Sequence, residues 1–129
     1  MLETGIRGRQ EERVEEKNSA FAMGSGQLYV FATPAMVALM EKTAWMSVAE
    51  YLDEGYGTVG VSLDIRHLAA TPLGMNVYCE TELIQIEGRK LTFSVKAFDE
   101  TGIIGEGNHE RFIVENGKFQ QKADAKSVR

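Results

Sequence analysis

Cysteine is almost missing from this chain: Cys79 stands alone among 129 residues. No intrachain disulfide can form, and nothing points to an oxidising compartment. The two histidines, His67 and His109, lie far apart, with no CxxC or HxxxH spacing around them, so neither a metal site nor another cofactor is expected. Positive charge is also scarce. Fourteen Lys and Arg face nineteen Asp and Glu, for a formal net charge of −5, which argues against nucleic acid as a partner because phosphate binding depends on a dense basic face. No apolar run approaches the length of a membrane span, and the opening MLETGIRGRQEERVEEK lacks the apolar core of a signal peptide. A soluble, cytoplasmic protein with no membrane partner is the expectation.

What is present suits one domain covering residues 1–129, with a polar tail from about residue 118. Hydrophobic residues make up 43% and charged residues 26%, ordinary values for a globular chain. One segment, VFATPAMVALMEKTAWMSVAEYL, reads as a helix. Thr33 before Pro34 supplies an N-cap residue and an early proline, so the helix is expected to start near residue 34. At about 100° per residue, Met36, Val37, Met40, Ala44, Val48, Tyr51 and Leu52 gather on one side. Glu41 falls on that side too. Removing a carboxylate from water costs several kcal/mol unless it is paired or its pKa rises. A position at the edge of the stripe, head turned to solvent, explains Glu41 as well as a functional one does.

Residues 6 to 18 are highly charged and fit either an edge strand or a frayed arm. MGSGQ, residues 23 to 27, reads as a flexible loop. After the helix the pattern changes to alternation. In TVGVSLDIRHL, residues Val59, Val61, Leu63, Ile65 and His67 share one face, with Gly60, Ser62, Asp64 and Arg66 on the other. Three further strands follow, over MNVYCETELIQIEG, KLTFSVKAFDE and IIGEGNHERFIVE, joined by short turns. Gly105 and Gly107 share a face with His109 and Arg111, leaving a flat place for a helix or a ligand. The tail QQKADAKSVR is expected to be disordered. A long helix laid across an antiparallel sheet is the expected α+β fold.

Three segments together, VFATPAMVALMEKTA at 30 to 44, GVSLDIRHLAATPLG at 60 to 74 and GEGNHER at 105 to 111, resemble the hotdog-fold thioesterases, most closely the fluoroacetyl-CoA thioesterase-like family. The resemblance implies a long central helix wrapped by an antiparallel sheet, a homodimer, and an acyl-CoA substrate at the dimer interface. It implies Thr33, Glu41 and His67 as catalytic residues and Gly60 and Arg111 as substrate-binding ones. Related enzymes specialised for fluoroacetyl groups carry an aromatic-rich lid before the helix, where this chain has GSGQLYV. Small or medium acyl groups are therefore the expected substrates.

The residue types suit thioester hydrolysis, which needs a nucleophile, a proton acceptor and donor, and stabilisation of an oxyanion. Glu41 could activate water or attack directly, and His67 could exchange protons near neutral pH or hold the carboxylate. Each residue also has an ordinary explanation. Thr33 could simply cap the helix, His67 could end a strand, Gly60 could pack against the helix, and Arg111 could form an exposed ion pair. Thr33 and Glu41 are eight residues apart, about 12 Å along a helix axis. If both act on one thioester, they come from two subunits. A hotdog module that binds acyl-CoA without turnover is a second expectation, and a hydratase or dehydratase acting on acyl thioesters a third.

Overall fold

In a computed structural model that describes residues 1–127, the charged opening segment is an edge strand, β1 (Arg7–Arg13). It leads through a 3-10 turn into a one-turn helix, α1 (Ala20–Met23), and then into the long helix α2 (Thr33–Val48). Four antiparallel strands follow: β2 (Tyr56–His67), β3 (Asn76–Glu87), β4 (Lys90–Asp99) and β5 (Gly102–Glu115). With β1 they form one five-stranded sheet in the order β1-β3-β4-β5-β2. The sheet wraps the helix in the α+β hotdog arrangement. No described helix is long and apolar enough to cross a membrane.

The helix buries Ala35, Met36, Leu39, Met40, Thr43, Ala44 and Val48. Against them lie Val77, Cys79 and Leu83 of β3, Leu91, Phe93, Val95 and Ala97 of β4, and Ile104 of β5. Each large apolar side chain so covered contributes about 1.5–3 kcal/mol. The buried stripe runs through Leu39 and Thr43 rather than through Val37 and Tyr51, and Tyr51 is exposed. Glu41 therefore stands at the border of the stripe, with its side chain 39% exposed. Burial also raises the Cys79 thiol pKa to about 11, so this side chain carries no thiolate character at neutral pH.

Three local expectations are corrected. The tail is not unstructured: α3 (Asn116–Asp124) continues from β5, and Val128 and Arg129 lie outside the described residues. Phe119 and Tyr56, both exposed, line a cleft between α3 and the sheet. Gly105 and Gly107 do not serve one flat place. A Cβ on Gly105 would lie 2.5 Å from Met36 Sδ, so this glycine admits α2, whereas a Cβ on Gly107 would lie 2.2 Å from the Asp64 carbonyl oxygen on β2. Gly105→Ala is expected to lower stability by about 1–3 kcal/mol by overpacking the core; an unchanged melting temperature would show that Met36 moves aside freely.

The third correction is in β2. Its register against β5 shifts between Gly60 and Ser62, a β-bulge that inserts Val61. The extra residue breaks strict alternation. Gly60 pairs with Arg111, Leu63 with His109 and His67 with Gly105. Gly60 and His67 thus both face the helix side, while the Ser62 hydroxyl turns outward to donate to Glu110 Oε1 at 2.8 Å.

Candidate active site

Thr33 is the first residue of α2, not its cap. The N-cap is Ala32, which offers no side-chain acceptor, so the hydroxyl of Thr33 is free for another partner. That partner is His67, at the far end of β2, with Thr33 Oγ1 and His67 Nδ1 2.7 Å apart. The other ring nitrogen, Nε2, is buried and has no hydrogen-bond partner. Both residues line an open cleft of about 330 Å³ together with Ala20, Ser25, Val30, Phe31 and the Leu68–Ala70 segment. The uncapped amino end of α2 also points its first-turn N–H groups and positive dipole end toward this region.

Glu41 sits elsewhere. Its Oε2 lies 3.4 Å from Arg111 Nη1 and close to Gly60, where an added Cβ would come within 2.6 Å of it. Arg111 is buried, not an exposed ion-pair partner. Its Nε donates to Thr58 Oγ1 at 2.7 Å and its Nη2 to the Thr58 carbonyl at 2.9 Å. Nη1 also donates to His109 Nε2 at 3.0 Å. The chain therefore carries two separate clusters. One is Thr33 with His67 at the amino end of α2, and the other is Glu41 with Gly60, Arg111 and His109 about two turns along. Along β2 the seven steps from Gly60 to His67 span about 20 Å, so Glu41 and His67 do not meet within one chain.

Burial pushes the pKa of both His67 and His109 below the ordinary imidazole value. Both rings are neutral at pH 7. An unfolded chain binds more protons than the folded one as pH falls below 6.5, so the histidines withdraw stability over that window and restore it as pH rises. Chemical denaturation should accordingly show a lower midpoint at pH 5.5 than at pH 7.5; equal midpoints would mean the imidazoles are freely solvated.

A model of the family described as fluoroacetyl-CoA-specific thioesterase matches residues 14–117. The chain belongs to that family. It is 42% identical over 98 residues to a fluoroacetyl-CoA thioesterase from Streptantibioticus cattleyicolor, an alignment spanning 76% of this chain and 70% of the relative. A solved structure of the fluoroacetyl-CoA thioesterase FlK superposes with a TM-score of 0.92 at 33% identity, covering 99% of each chain. A variant of FlK in complex with acetyl-CoA gives 0.93 at 32% identity, covering 98% of this chain and 100% of that one. A thioesterase superfamily member from Thermus thermophilus gives 0.88 at 27% identity, covering 96% and 92%.

In this family member the segment before α2 is not free of aromatic residues. Phe21 and Tyr29 meet in a tilted contact with ring centroids 4.9 Å apart, and both, like Leu28, are exposed. Arg89, in the β3–β4 turn, lines one cleft with Lys118 and Lys122 of α3, and Lys90 is paired with Glu87 and Glu110. Sequence reasoning missed His109 and Thr58 as parts of the Glu41 cluster. The signal for His109 was its place two residues before Arg111 on the same strand face.

Proposed function

We propose that this protein hydrolyses small or medium acyl-CoA thioesters to the free acid and CoA, in the cytoplasm, as a homodimer with two composite sites. The Thr33–His67 hydrogen bond carries the reading: it is a hydroxyl and a neutral imidazole at 2.7 Å beside an open cleft, the arrangement that activates a hydroxyl for attack on a carbonyl. His67 takes the Thr33 proton as the oxygen bonds to the thioester carbon. The carbonyl oxygen, gaining charge, lies near the uncapped end of α2. When the C–S bond breaks, the imidazolium returns the proton to the departing sulfur. A water then attacks the acyl ester, giving its proton to a carboxylate, and as the acyl C–O bond breaks that proton passes to Thr33 Oγ1, restoring both the hydroxyl and the carboxylate.

That carboxylate is Glu41 of a second copy. β2 is an edge of the sheet, and its Val61 and Leu63 are exposed. An edge of twelve residues carrying apolar side chains invites pairing with another strand. Leu63 and Asp64 lie midway between Gly60 and His67. A two-fold axis there would set Gly60 of one chain opposite His67 of the other, joining the two clusters by an isologous contact. Arg111 fixes the Glu41 carboxylate, and the bare backbone of Gly60 leaves room for the thioester.

The test is a panel of acyl-CoAs with thiol release followed for wild type, Glu41→Gln and His67→Ala. Hydrolysis by the wild type and losses of about 10²–10⁴-fold in kcat for each variant are expected. Acyl-CoA binding without thiol release would leave a binding module instead, and absorbance loss from an enoyl-CoA would mark a hydratase.

A further inference from the structure

His109 is buried among groups that allow it only one protonation state. Its Nδ1 stands 2.8 Å from the Ser62 carbonyl oxygen, an atom that can only accept, so Nδ1 carries the hydrogen. Its Nε2 stands 3.0 Å from Arg111 Nη1, an atom that can only donate, so Nε2 carries the lone pair. The ring is wholly buried. The charged groups facing it are Arg111 on its own strand and Glu41 from α2; β4 presents Phe93, whose ring centroid is 6.3 Å away.

The consequence falls on Arg111 Nη1, which is shared between His109 at 3.0 Å and Glu41 at 3.4 Å. Thr58 holds the opposite side of the guanidinium through two bonds. A guanidinium free to turn would clamp a carboxylate through two parallel hydrogen bonds, tying up the lone pairs that Glu41 needs. His109 takes one of those N–H groups, so Glu41 keeps a single long contact and an unengaged second oxygen. The bulge at Val61 directly precedes Ser62, whose carbonyl meets the ring while its side chain points outward.

We propose that His109 is a positioning residue: fixed as the Nδ1–H tautomer by Ser62, it holds Arg111 partly away from Glu41 and so leaves that carboxylate reactive. This rests on the thioester-hydrolase reading, because the effect is read in turnover. The chemistry demands an acceptor at Nε2, which glutamine retains and leucine lacks.

Two measurements test it. Long-range proton–nitrogen correlation spectra of the wild-type protein should show His109 as a neutral Nδ1–H ring that stays neutral from pH 7 to pH 6; an Nε2–H tautomer or a charged ring overturns the proposal whether or not the protein turns over any thioester. Steady-state kinetics should then show His109→Leu losing on the order of 10²-fold in kcat, the scale of a misplaced catalytic group, with KM changed by less than about three-fold. His109→Gln should recover most of that loss. Wild-type kcat in His109→Leu, or equal losses in both variants, overturns it, and if His109→Leu fails to fold, a His109→Gln protein as impaired as Glu41→Gln does so alone. Wild-type hydrolysis that Glu41→Gln leaves intact would instead sink the role given to Glu41.

Discussion

Thr33→Ala and Glu41→Gln proteins, each nearly inactive alone, are expected to regain about a quarter of wild-type activity when unfolded together and refolded as a mixture. The figure follows from the placement of the two clusters. Thr33 reaches His67 and Glu41 reaches Arg111, and the helix keeps the two pairs about 12 Å apart along its axis. If each working site takes Thr33 and His67 from one subunit and Glu41 from the other, a mixed dimer contains one site with both substitutions and one with neither. Random pairing makes half of the dimers mixed. Each restores one site of two. Separate refolding should give no recovery, and recovery should follow the mixing ratio of the two chains. Activity of the mixture equal to the weighted sum of the two variants would place each site within one chain.

Gly60→Ala is expected to leave the fold intact while lowering kcat by about 10²-fold, the cost of displacing a reactive group by around 1 Å. The added Cβ would stand 2.6 Å from Glu41 Oε2, 3.3 Å from His109 Cε1 and 3.4 Å from Arg111 Nη1. Only the first is a hard clash. It falls on the far end of a flexible side chain whose exposure is already 39%, so the protein relieves it by swinging the carboxylate away rather than by unfolding. The two consequences separate in measurement. Thermal unfolding should move by no more than about 0.5 kcal/mol equivalent, within the range of surface substitutions, whereas acyl-CoA turnover should fall sharply. A large loss of stability with normal kcat per folded molecule would show that Gly60 serves packing alone.

The contrast between Gly60 and His67 shows how far the sequence could be read. Alternation located β2, and the Thr-Pro pair located the start of α2, because burial of one face imposes a period that composition records. The same alternation put Gly60 and His67 on opposite faces. A bulge leaves no periodic trace, since it is a single inserted residue, and only the pairing of Gly60 with Arg111 and His67 with Gly105 reveals it. The cap reading of Thr33 failed for a different reason. A threonine before Pro34 fits an N-cap, yet Ala32 holds the cap and Thr33 turns to His67. The α3 tail was misread because its composition is polar and the helix buries none of its side chains, so no apolar period marks it. Glu41 was legible as a conflict within an apolar stripe, but the buried guanidinium that meets it, and the imidazole bonded to that guanidinium, come from β5, and no local pattern joins residues so far apart.

The inserted Val61 also constrains how this strand can change length. Removing it would restore regular alternation and turn either Gly60 or His67 to the outer face, dismantling one cluster while sparing the other. A second single-residue insertion would do the same. Insertions or deletions in pairs keep both residues facing α2, so between positions 60 and 67 tolerated length variation should come in steps of two, and any relative with an odd change should carry a compensating bulge nearby.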